Sequence, residues 1–441
     1  MNNNKYLYWI TFVAINGGLL FGLNMASISG ATDMLKTDFS LTESGLGMVT
    51  GSMMLGCLLG ALFTGGLADR FGRKKIMIFA AVSFIISALG CAFSTGIVML
   101  TLFRILTGIT VGAISVVGPM YISEVAPAHK RGTLVSFNQL AITIGILLAY
   151  FLDYILVDFG DESWRYMLGI PCVFAVLFLI FLIVSFPESP RWLLKNGKKD
   201  LAISMSQRFG NEVSGQVSEA SSSKDKGSSV SFRELFRGRT GKIVLIGTLI
   251  AVFQQITGIN AVLIFAPDIL KSAGVGGETA LQQSMLVGLV NFLMTIVAIR
   301  LVDKKGRKTL LLSGAVGMTI ALSYLTFEFM QPERNTTMVL IALLLYIAFF
   351  AASFAPVMWV IISEIYPDRI KGLAMSFSTA VSWIFTFLTV YTAPLIRSEI
   401  GDYALFALYA LFSVIAFIFV KKYIPETKGK TLEQIQEELK L

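Results

Sequence analysis

The sequence predicts an all-α membrane protein with twelve transmembrane helices in two six-helix halves, joined by a helical linker. Three observations carry that reading. The chain has 441 residues, of which 55% are hydrophobic and only 15% charged, with a mean hydropathy of +0.73. That is too apolar for a soluble protein of this size. Its uncharged runs, such as 76–103 and 166–187, reach or exceed the roughly 20 residues that a helix needs to cross a bilayer. Finally, a set of charged motifs occurs twice, the second copies about 234 to 240 positions after the first. Asp69-Arg70-Phe71-Gly72-Arg73-Lys74 returns as Asp303-Lys304-Lys305-Gly306-Arg307-Lys308. Ser123-Glu124-Val125-Ala126-Pro127 returns as Ser363-Glu364-Ile365-Tyr366-Pro367, Arg131-Gly132 as Lys371-Gly372, and Pro187-Glu188-Ser189 as Pro425-Glu426-Thr427.

The first span, near 8–30, follows only Lys5 and shows no cleavage site, so it reads as retained. The second, 46–68, stops at the Asp69 motif, and the third and fourth, 75–94 and 97–122, share an uncharged run. The fourth ends at Ser123-Glu124, the fifth (132–155) starts after Arg131-Gly132, and the sixth (165–186) ends at Pro187-Glu188. Residues 187–242 form the linker. It has helical character from Arg191 to Arg208, a Ser/Gly/Lys stretch at 214–229 of flexible composition, and an amphipathic piece at Ser231–Phe236. The second half repeats the order with spans near 243–270, 280–302, 309–331, 337–363, 371–396 and 403–423. The expected domains are therefore 1–186, the linker 187–242, the second half 243–424 and a tail 425–441. Helices are required because lipid cannot satisfy backbone polar groups, and the alternation of a barrel is absent.

The net charge of +8 is a matter of topology. With loops assigned alternately to two sides, Lys36, Arg165, Lys271, Arg334 and Arg397 fall on one side and Arg104 lies within a span. The other cations gather on the side holding both termini, which the positive-inside bias makes cytoplasmic. A nucleic-acid partner is thereby excluded. Cys57, Cys91 and Cys172 all fall inside spans, so neither disulfides nor a metal site is expected. No Gly-x-x-x-x-Gly-Lys-Ser/Thr motif occurs, no cofactor is implied, and any transport must run on a gradient. The sequon Asn335-Thr336-Thr337 reads as chance.

Buried uncharged polar groups mark the expected binding region. A dry pocket for an uncharged, hydrogen-bonding ligand needs side chains that donate and accept, together with an aromatic face. Gln139 lies in the fifth span, Gln254, Gln255 and Asn260 in the seventh, Asn291 in the eighth and Trp359 in the tenth. Amides at membrane depth are costly unless partnered. Taken alone, each is equally well explained as a bond between helices.

Gly66-Leu67-Ala68-Asp69-Arg70-Phe71-Gly72-Arg73-Lys74, Arg104, Pro187-Glu188-Ser189-Pro190-Arg191-Trp192, Gln254-Gln255-Ile256-Thr257-Gly258-Ile259-Asn260 and Pro425-Glu426-Thr427-Lys428-Gly429 together resemble the sugar porters of the major facilitator superfamily. The ordered set covers essentially the whole chain. It is similar to the bacterial xylose–proton symporters and to glucose facilitators. The resemblance implies a monosaccharide carrier working by alternating access as a monomer, in a bacterial plasma membrane. It places Gln139, Gln254, Gln255, Asn260, Asn291 and Trp359 on the sugar, with Phe21 and Trp383 as aromatic walls. It also implies an intracellular lock that pairs Asp69 with Arg73, Glu124 with Arg131, Glu188 with Arg191, Asp303 with Arg307 and Glu364 with Arg369, together with Glu426.

The departures are informative. Proton-coupled members carry an Asp where this chain has Asn24, and an amide cannot titrate. Arg104 therefore lacks its usual counter-ion, and Asp153 is the one candidate stand-in, although an interfacial role suits it better. Ile146 stands where the xylose symporter has Gln and glucose carriers have Ile. Ile264, Ser382 and Thr386 replace larger groups. His129 beside Lys130 reads as a loop residue rather than a proton relay. Facilitated diffusion of a hexose is the expected function, with proton symport through another carboxylate as the alternative. A non-transporting sensor lacks the long cytoplasmic extension usual for one. An enzyme lacks any clustered catalytic set.

Overall fold

A computed structural model describes residues 3–127, 130–209, 232–367, 370–430, 434–435 and 438. It is all-helical among those residues, with twelve helices long and apolar enough to cross a membrane. The first half comprises Asn4–Ala26, Glu43–Phe71, Arg73–Ala92, Ile97–Val125, Thr133–Leu156 and Ser163–Ser185. The second comprises Gly238–Ile264, Gly277–Val302, Arg307–Met330, Thr336–Ile365, Lys371–Glu399 and Asp402–Tyr423. The expected Ser/Gly/Lys stretch at 214–229 and His129 lie outside the described residues.

Two spans are interrupted in ways that hydropathy does not register. The seventh breaks after Ile256 at Thr257-Gly258, where Gly258 is left-handed at φ +94°. A Cβ there would stand 2.3 Å from the Tyr409 ring, so only glycine permits this chain path. This span ends at Ile264 rather than running to residue 270. A separate short helix, Ala266–Ser272, follows beyond it. The tenth span breaks at Ser353, between Thr336–Ala352 and Phe354–Ile365.

Small residues set the closeness of packing within a half. A Cβ on Gly56 would lie 2.1 Å from the Ile105 carbonyl oxygen, and one on Gly108 would lie 1.9 Å from that of Met53. The second and fourth spans are therefore in backbone contact, the usual solution where lipid supplies no hydrophobic drive between helices. The linker divides between the halves. Phe209 stacks on Tyr6 of the first span, whereas Phe236 packs edge-on against Phe377 of the eleventh.

The halves meet at the end opposite the charged motifs. There Ser44 and Tyr391 share a 2.9 Å hydrogen bond, Tyr150 donates to the Leu263 carbonyl, and Thr32 donates to Asp268 at 3.1 Å. Gly47 is so close to the Tyr391 carbonyl that a Cβ would fall at 2.4 Å. At the basic end, Arg73 pairs with Asp69 and Glu124, and Arg307 pairs with Glu364, each within its own half.

Gly258→Ala is expected to destabilise the protein by ~2–4 kcal/mol, through the left-handed backbone and the clash with Tyr409. Gly238→Ala, left-handed at φ +53° with open space around it, should cost ~1 kcal/mol. Unfolding midpoints of both variants in one detergent check the difference.

Candidate functional site

The seventh-span break turns its amides toward the eleventh span. Asn260 Nδ2 donates to Gln255 Oε1 at 2.6 Å. Gln255 Nε2 donates to Gln254 Oε1 at 2.9 Å and to Ser382 Oγ at 3.1 Å. Gln254 Nε2 in turn donates to the carbonyls of Phe354 and Ala355, at 2.9 and 3.2 Å, where the tenth span restarts. Gln254 is thus committed inside the protein, and it pins the break of one span to the break of another. Trp383, next to Ser382, places its ring 5.9 Å from that of Phe21 in the first span. Its indole N–H has no partner among the described residues. An aromatic pair from the two halves thus lies one residue along the eleventh span from the chain of amides, with no ionisable group among the residues named.

The relay's hydrogen bonds do not include the remaining expected site residues. Asn291 is buried in the eighth span, Gln139 is half-buried in the fifth, and Trp359 is exposed. Ile146, Ile264 and Thr386 are buried. Sequence reasoning passed over Asn138, whose buried Oδ1 has no partner among the described residues and lies beside Gly18 of the first span. Its position next to Gln139 was the available signal.

Asn24 spends its side-chain N–H on the Leu20 carbonyl at 2.9 Å, and Arg104 Nη1 donates to the Asn24 carbonyl at 3.0 Å. Arg104 is almost wholly buried, and its Nε and Nη2 have no partner among the described residues. The titratable groups facing it are the thiols of Cys91 and Cys57. Asp153 is fully buried; one oxygen accepts from the Gly30 amide at 3.0 Å and the other has no partner among the described residues.

The repeated charges form two copies of one cluster, in which Glu188 has partners other than the expected Arg191. Glu188 accepts from the backbone amides of Arg73 (2.9 Å), Lys74 (3.2 Å) and Ser189 (2.8 Å) instead of pairing with Arg191. Glu124 receives Arg73 in a bidentate pair at 2.9 and 3.1 Å, and the Ser189 hydroxyl as well. Arg73 also meets Asp69 at 2.9 Å, as expected. In the second half Glu426 accepts from the amides of Arg307 (2.9 Å) and Lys308 (3.1 Å), while Arg307 and Thr427 donate to Glu364. Arg369 and the side chains of Arg131 and Asp303 lie outside what is described.

The carboxyls of Glu188 and Glu426 nonetheless shift in opposite directions. Burial raises the Glu188 carboxyl above its ordinary range despite its amide donors. Burial also acts on Glu426, but the amides of Lys428, Arg307, Lys308 and Thr309 outweigh it and hold that carboxyl below the ordinary range.

The family described as "Sugar (and other) transporter" matches residues 10–439. The D-xylose-proton symporter of Escherichia coli K12 is 39% identical, over 98% of this chain and 96% of its own. The glucose transporter GlcP of Staphylococcus epidermidis is 37% identical, over 100% of this chain and 98% of its own. Among solved structures, the inward-open conformation of the E. coli xylose transporter XylE matches with a TM-score of 0.86. It is 36% identical and covers 98% of this chain and 99% of that one.

Arg73→Met should cost ~3–5 kcal/mol, because it strands the Glu124 carboxylate, whose side chain is only 5% exposed. Combining it with Glu124→Leu should recover most of that loss. Arg307→Met should cost less, since Glu364 is 29% exposed and partly solvated. Unfolding midpoints in a double-mutant cycle provide the check.

Proposed function

The chain belongs to the sugar transporter family of the major facilitator superfamily, and on that premise we propose that it carries a hexose such as glucose. It would move that sugar across the bilayer by alternating access of its two halves. The observation that carries this reading is the uncharged relay Asn260–Gln255–Ser382, followed along the eleventh span by Trp383, whose N–H is unpartnered among the described residues and whose ring packs against Phe21 of the other half. Donors, acceptors and aromatic faces together suit a neutral polyol and carry no charge to neutralise an ion. Gln139, Asn291 and Trp359 complete the sugar contacts, and Gln254 positions the others. The buried Ile146 favours a hexose over a pentose, for the reason that glucose carriers have Ile there.

The basic end is the cytoplasmic one, so the described state is closed to the outside and both termini lie inside a bacterial plasma membrane. Residues 1–186 and 243–424 move as the two halves of a monomer. The Glu124 and Glu364 clusters stiffen their cytoplasmic ends and lock them together when that side shuts. Transport is facilitative. Asn24 offers no titratable group beside Arg104, and proton coupling needs one whose proton affinity differs between states.

In proteoliposomes the protein should equilibrate a labelled hexose without concentrating it under an inward proton gradient. Accumulation abolished by a protonophore would establish symport instead, and its loss in Asp153→Asn would identify the carrier. Gln255→Ala and Asn260→Ala should each weaken sugar binding ~5- to 150-fold, the equivalent of ~1–3 kcal/mol, with normal membrane insertion. Unchanged binding in both removes the pocket assignment. Asn24→Asp should make uptake sensitive to the proton gradient, as uptake at matched and opposed pH will reveal.

A further inference from the structure

The short helix Ala266–Ser272 joins the halves where they close. Asp268 on that helix accepts from Thr32 Oγ1 of the first half at 3.1 Å, and its backbone carbonyl receives Arg397 Nη2 at 3.1 Å. Lys271 of the same helix pairs with Asp33 of the first half. Arg397 pairs in turn with Asp402, and Arg334 donates to the Ser272 carbonyl at the end of the helix. The charged groups acting on Asp268 are therefore Arg397 from the eleventh span, Asp33 from the first half and Lys271 from its own helix. Two of these are cations, yet neither makes a side-chain ion pair with it among the bonds described. The carboxylate is carried into the seam, where the Thr32 hydroxyl donates to it and Arg397 acts on it through space.

We propose that Asp268 makes closure of the outer face respond to the pH of the outside solution, as a latch that binds a proton without carrying it across. This inference rests on the alternating-access reading. The latch sits on the outer side of the sugar site, so it exchanges protons with the outside whether the halves are open or shut there. Such a group biases the two states but cannot move a proton through the membrane.

The sign follows from burial. Between the closed halves, desolvation outweighs Arg397 and Lys271 and pushes the Asp268 carboxyl up to about 6. When the halves part, the group is hydrated and returns toward the ordinary carboxylate value of ~3.9. The closed state therefore binds the proton more tightly, and external acid populates it at the expense of the outward-facing state. Between pH 7.5 and pH 5 the shift is about tenfold, and with the closed state predominant, as the latch requires, the apparent external affinity for sugar weakens by the same factor.

The test is sugar exchange in proteoliposomes of fixed internal pH, with external half-saturation measured from pH 8 to pH 5. Wild type should show an approximately tenfold rise on external acidification and none on internal acidification. Asp268→Asn should be flat. Thr32→Ala leaves the carboxylate in place but removes the donor that favours its charged form, so its profile should shift to higher pH. That variant keeps the test open if the Asn protein does not fold. A flat wild-type profile, or an Asp268→Asn profile like that of wild type, overturns the latch alone. Absence of exchange for every sugar at every pH overturns the carrier reading and the latch with it.

Discussion

Glu188 and Glu426 each receive the first amides of a membrane span that begins immediately after a left-handed glycine, and the basic end of either half is assembled around that contact. Gly72 and Gly306 sit at φ +98° and +89°, and a Cβ on either would collide with the carboxylate, at 2.2 and 2.5 Å. The absence of a side chain lets an acid from the end of a half reach the N-terminus of that half's third helix, where unpaired N–H groups and the helix dipole favour a negative charge. The arginine that opens the helix is thereby aimed at Glu124 or Glu364. One backbone conformation thus decides how four helix ends come together, and the chain uses it twice.

The opposite end is built by other means. There the halves touch through hydroxyls, carbonyls and backbone approach, with Ser44 on Tyr391, Tyr150 on Leu263 and Gly47 under the Tyr391 carbonyl. Contacts of this kind can form and separate at small cost, because each group regains water when exposed. The clusters at the basic end stay inside their halves in this state. Rigidity within a half and exchange between halves are therefore assigned to different chemistry.

Much of this was legible in the sequence, because a bilayer leaves few options. Span number followed from runs of apolar residues, and the pseudo-repeat from motifs such as Asp69–Lys74 and Asp303–Lys308. What escaped was any pairing that depends on where the chain turns. Glu124 finds Arg73, 51 positions away, a pairing that no local motif announces. Glu188 finds backbone amides rather than Arg191, since an amide donor has no sequence signature. The amides of the seventh span were legible as polar groups at membrane depth. That Gln254 is consumed by Phe354 and Ala355 depends on two helix breaks, and the one at Ser353 is signalled only by Pro356, which has no N–H to give the Ala352 carbonyl four residues back.

The solitary guanidinium of Arg104 has an electrical consequence. With Asn24 in place of an acid, the core of the first half holds a permanent positive charge that no carboxylate among the described residues neutralises. Displacing a unit charge across the whole membrane field is worth ~2.3 kcal/mol per 100 mV. If rocking of that half shifts Arg104 by even a tenth of the field, the resting potential contributes ~0.2 kcal/mol to the choice between its two orientations. The neutrality of a sugar therefore does not by itself make such a cycle blind to voltage.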